Sequence, residues 1–63
     1  MSKKHFNAIA ASILDSRETV GVKDNPVAQA AITLLVFKLC ADFAGFNANF
    51  DEARFLAATG TKR

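Results

Sequence analysis

The chain has 63 residues, 51% of them apolar, a formal net charge of +2 and a single cysteine. That length excludes more than one domain and gives a body of only marginal stability when isolated. The lone Cys40 excludes an internal disulfide. The charge placement argues against a nucleic-acid binder, which needs a clustered basic face: Lys3, Lys4, Lys62 and Arg63, four of the eight basic residues, lie at the ends, and acidic residues outnumber basic ones between them.

A first helix is predicted over about 3–16, with Ser2 as N-cap. Phe6, Ile9, Ala10, Ile13 and Leu14 recur at i, i+3, i+4, i+7 and i+8, which makes one apolar face. Lys3, Lys4, Asn7 and Asp15 are expected in water, and the helix should stop near Arg17. The start, Met-Ser-Lys-Lys-His-Phe, lacks the pattern of a signal peptide, so the cytoplasm is the expected compartment.

Glu18 to Asp24 reads as a loop around Gly21. Asn25 followed by Pro26 is a strong helix start, with Asn as cap and Pro at the first helical position. The helix that follows, 26–46, carries only four polar side chains, Gln29, Thr33, Lys38 and Asp42. At 100° per residue it shows two apolar stripes. The wider holds Ala28, Ile32, Leu35, Val36, Leu39, Phe43 and Phe46. The narrower holds Val27, Ala30, Leu34, Phe37 and Ala41. Gln29 and Thr33 divide them on one side, Lys38 and Asp42 on the other.

An ordinary surface helix has one such stripe. The second is covered either by the chain's own neighbouring helices or by a partner. The wider stripe is expected to meet the first helix, with Ile32, Leu39 and Phe43 buried near Ile9 and Ile13. The narrower stripe, centred on Leu34, is the expected interface of a homodimer. A transmembrane span is not expected, because Lys38 and Asp42 interrupt the apolar run. Cys40 reads as a small buried hydrophobe. Asn47 is the expected left-handed residue that ends the helix, after Gly45 has weakened its last turn.

The third helix is predicted over 51–59. Two starts compete. Asn49 as cap would pair with Glu52 in a capping box. Asp51 as cap would instead place Phe50 and Phe55 as a hydrophobic staple, and it accounts for more residues. Gly60 is the expected stop, and residues 61–63 a loose tail of the single domain 1–63.

The chemistry is sparse. His5 sits beside Lys4 in the first turn and reads as a solvated surface residue. One His and one Cys cannot supply the three or four ligands of a metal site. Asp51 and Glu52 adjoin a helix start, where carboxylates act as caps. The sequence contains no glycine-rich phosphate loop. No catalytic, cofactor-binding or metal residue is therefore assigned, and the chain reads as non-enzymatic. The segment 26–46, its turn and 51–59 invite a helix-turn-helix reading, the alternative function being a small DNA-binding regulator. There the second helix would present Asp51, Glu52 and Ala53 to phosphate, with only Arg54 basic. A third reading is a membrane-surface protein using the first helix with its basic start.

Two stretches carry a resemblance. Lys4-His5-Phe6 with Ile9-Ala10, and Asn47 with Phe50-Asp51, Arg54-Phe55-Leu56 and Ala58, resemble a group of very short orphan proteins common in bacteriophage genomes. Their pattern ends like Asn-Pro-x-Phe-Asp-x-x-Arg-Phe-Leu-x-Ala, and this chain has Ala48 in the place of Pro. The resemblance implies a helical fold, a phage origin and hence a bacterial host cell. It assigns no functional residue. The expectation is an all-α, three-helix, dimeric phage accessory protein that binds a host or phage protein and needs no cofactor.

Overall fold

The computed structural model describes residues 2–62, and among them it contains three helices and no strand. They are α1 (Lys3–Glu18), α2 (Pro26–Phe46) and α3 (Glu52–Ala58). At about 1.5 Å per residue, α2 nearly matches the longest dimension of the molecule, 35 × 18 × 14 Å. The other two helices pack along one side of it.

Each helix begins where a side chain satisfies the free N–H groups of its first turn. In α2, Asn25 Oδ1 accepts from the N–H groups of Val27 and Ala28 at 3.0 and 3.1 Å, and Pro26 needs no acceptor. In α3, Asp51 Oδ1 accepts from the Arg54 N–H at 3.1 Å, so Asp51 and not Asn49 is the cap. The Phe50 and Phe55 rings meet at 5.6 Å, as the staple requires. At α1 the cap is Ser2, and His5 completes it: His5 Nδ1 accepts from the Ser2 N–H at 3.2 Å. His5 is thus exposed, as expected, but it takes part in a cap. Asp51→Ala is expected to cost about 1 kcal/mol. Urea unfolding followed by circular dichroism checks this, and an unchanged midpoint would show that the cap is dispensable.

The helix ends differ in detail from the expectation. Asn47 is extended, at φ −148, and not left-handed. The turn needs no left-handed residue there, because Asn47 Oδ1 accepts from the Asn49 N–H at 2.9 Å and its carbonyl accepts from the Phe50 N–H at 3.0 Å. At the end of α3, Gly60 is left-handed, at φ 73. The Gly60 N–H reaches the Ala57 carbonyl, and the Thr61 N–H reaches that of Leu56. That pair is a Schellman closure. A Cβ at Gly60 would also press to 3.0 Å from Leu14 Cδ1, so the stop doubles as a close contact with α1. The expected loose tail therefore does not begin at Thr61, which is buried; Lys62 is exposed and Arg63 lies outside the described residues.

The core is small and aromatic. Phe6 and Ala10 of α1, Val36, Cys40 and Phe43 of α2, and Phe55 and Leu56 of α3 are buried. Ile9, Ile13, Ile32, Phe37, Leu39 and Phe50 pack partly buried against them. Phe43 is the hub, with ring centroids 4.9 Å from Phe6, 5.5 Å from Phe50 and 5.4 Å from Phe55. Such tilted and edge-on pairs add to the stability already gained from burial.

The buried face of α2 is rotated from the expected wider stripe. Its spine is Gln29, Thr33, Val36, Cys40 and Phe43, the spacing of one helix face. Ile32 and Leu39 flank it half-buried, whereas Leu35 and Phe46, expected inside, are 52% and 73% exposed. The polar side chains of Gln29 and Thr33 have drawn the face toward themselves, because each has a partner in the interior.

Candidate functional site

That partner is Arg17, whose side chain is buried with only 8% exposure. Its Nε donates to the Thr59 carbonyl at 2.8 Å and its Nη1 to Gln29 Oε1 at 2.8 Å. Its Nη2 donates to Thr33 Oγ1 at 3.1 Å and to Thr61 Oγ1 at 2.6 Å. Every one of these acceptors is neutral. Gln29 returns the contact, since its Nε2 donates to the backbone carbonyls of Arg17 and Val22 at 3.0 Å each. Thr59 donates its hydroxyl to the Leu56 carbonyl, so the 2.8 Å contact between the two threonine hydroxyls takes its proton from Thr61.

A buried guanidinium with no carboxylate partner among the described residues is costly to desolvate unless its N–H groups are filled. Here one side chain ties the end of α1, the start of α2 and the residues that follow α3. No buried side-chain N or O among the described residues lacks a hydrogen-bond partner. The arrangement is a clasp. It holds no nucleophile, base or metal ligand, and its groups satisfy one another.

The residues weighed for chemistry do not converge. His5 is exposed in the first turn of α1, Cys40 is 2% exposed within the core, and Asp51 is occupied as a cap. Among the described residues no three His, Cys, Asp or Glu side chains lie close enough together to hold a metal ion.

What remains is the surface of α2 that faces away from α1 and α3. Val27 is 77% exposed and Leu34 58%, and Ala30 and Ala41 are exposed with them. Phe37, the other member of the narrower stripe, leans inward and is half-buried against the core. Leu35 and Phe46 widen the exposed apolar area on the flank. Contiguous apolar surface of this kind marks interaction sites in small proteins. By length and composition α2 is also long and apolar enough to cross a membrane, and only 17% of its most apolar window is buried by the rest of the chain. Sequence periodicity found the outward stripe but missed Leu35 and Phe46. It also missed the clasp, although Arg17 continues the Phe6, Ala10, Ile13 spacing by four residues.

Comparison of the chain with family models, with curated proteins and with solved structures gives no match.

Proposed function

We propose that this chain is a small, non-enzymatic phage accessory protein that works by binding other proteins, and that it pairs with itself through the outer face of α2. The supporting observation is the exposed row Val27, Ala30, Leu34 and Ala41 on the helix that spans the molecule. Small residues at 30 and 41 let two such helices approach closely around Leu34. A two-fold dimer needs only one self-complementary patch.

The phage setting rests on the resemblance of the two ends. Most of the residues that carry it build the fold: Phe6 and Ala10 in the core, Asp51 as cap, Phe50 and Phe55 as staple, Leu56 buried. For that reason they point to no partner. The α2 face is read as protein-facing because Lys38 and Asp42 would be costly in lipid, and because the opposite face of α2 is bound to the Arg17 guanidinium.

Light scattering at micromolar concentration tests the pairing, with a dimer expected. A symmetric contact is lost twice, so Leu34→Glu should weaken association by about 3–6 kcal/mol, or at least ~100-fold, without changing the helix content. A well-folded wild-type monomer across that concentration range would overturn self-association. Tight binding to duplex DNA that survives physiological salt would overturn the protein-binding reading.

A further inference from the structure

We propose that the cleft between α1 and α3, closed at one end by the turn that follows α2, binds a small monocarboxylate. The cleft has a volume of about 370 Å³, at the lower end of the range for small-molecule sites. Its lining shares no residue with the outer face of α2. Ala10 and Phe55, almost wholly buried in the core, form a rigid floor, and Ala58 is exposed beside them.

Polar groups of one character stand around it. Lys3 and Arg54 line the cleft from opposite helices, and neither is ion-paired to a described residue. Asn7 and Asn49 line it too, and neither side chain makes a hydrogen bond to a described residue. Asn47 lines the turn; its Oδ1 accepts from the Asn49 N–H, which leaves its amide N–H groups as donors. The one acid in the lining, Asp51, has Oδ1 committed to the Arg54 N–H.

Two cations against one carboxylate leave a single net positive charge, which a monoanion neutralises. Asp51 repels a second negative charge, so a dianion such as phosphate is disfavoured. The fork of Arg54 suits a carboxylate, which guanidinium groups bind in a bidentate manner.

Titration of ¹⁵N-labelled protein with benzoate, followed by amide chemical shifts, tests the site. Benzoate should give saturable shifts confined to Asn7, Asn47, Asn49 and Arg54 and their neighbours. Neutral benzamide should bind at least ten-fold more weakly, and inorganic phosphate should not displace benzoate. Arg54 is exposed, so Arg54→Gln should leave the thermal midpoint in place and weaken benzoate at least ten-fold. Lys3→Gln should do the same to a smaller degree, and it stands in if Arg54→Gln fails to fold. Shifts scattered over the surface, equal binding of benzamide or phosphate, or unchanged affinity in a folded variant would overturn the proposal.

Discussion

Arg17→Ala is expected to remove a third or more of the chain's folding stability, about 3 kcal/mol at least. The substitution removes the guanidinium that donates to Gln29 Oε1, Thr33 Oγ1, the Thr59 carbonyl and Thr61 Oγ1 together. Hydrogen bonds to a charged group contribute about 1.5–3 kcal/mol each. Water entering the vacated space recovers part of that, because Gln29 and Thr33 are only half-buried. A net loss of about 3 kcal/mol or more is therefore expected. A domain of this length has only roughly 3–9 kcal/mol in total. Arg17→Lys should also be costly, since an ammonium is a point donor and cannot reach four acceptors on two segments at once. Arg17→Met separates packing from hydrogen bonding. It keeps much of the stem, so a variant as stable as wild type would show that the clasp contributes nothing net. The checking measurement is urea unfolding followed by far-ultraviolet circular dichroism, because the chain has no Trp or Tyr to report by fluorescence.

Phe43→Ala is expected to cost about 3–5 kcal/mol, the range for a buried phenylalanine truncation. Phe43 is 5% exposed and touches the rings of Phe6, Phe50 and Phe55, one from α1 and two from the turn and start of α3. Its loss opens a cavity where the three helices meet, and so short a chain has no second core to hold it together. Phe43→Leu, which refills most of that volume, should cost clearly less. Val20→Ser serves as the control. Val20 is 97% exposed in the loop before α2 and should change stability by no more than about 0.5 kcal/mol. A loss below 1 kcal/mol for Phe43→Ala would mean that α2 does not face α1 and α3 through this ring.

The two experiments probe opposite ends of the same helix. At one end α2 is held by aromatic packing around Phe43; at the other it is held by hydrogen bonds to Arg17. The outer face of α2 takes part in neither, so Leu34→Glu separates association from folding.

The sequence by itself determined the number, order and starts of the helices. Asn25 with Pro26, Asp51 with Phe50 and Phe55, and Gly60 each act within a few residues of themselves, so the geometry they impose is readable without knowing the rest of the chain. The apolar character of α2 and the one-sided pattern of Phe6, Ile9, Ala10 and Ile13 are local in the same sense. Only the tertiary structure decided which way α2 turns. Periodicity favoured the wider stripe, but the buried face is centred on the seam of Gln29 and Thr33, whose polar side chains have partners only in the folded chain. Arg17, forty-two residues from Thr59 along the chain, made that choice by bringing Gln29 and Thr33 inward and leaving Leu35 and Phe46 outside. It buried Thr61 by the same contact. A charged residue on a core face reads locally as the end of a helix, and its neutral acceptors become visible only when three distant segments meet.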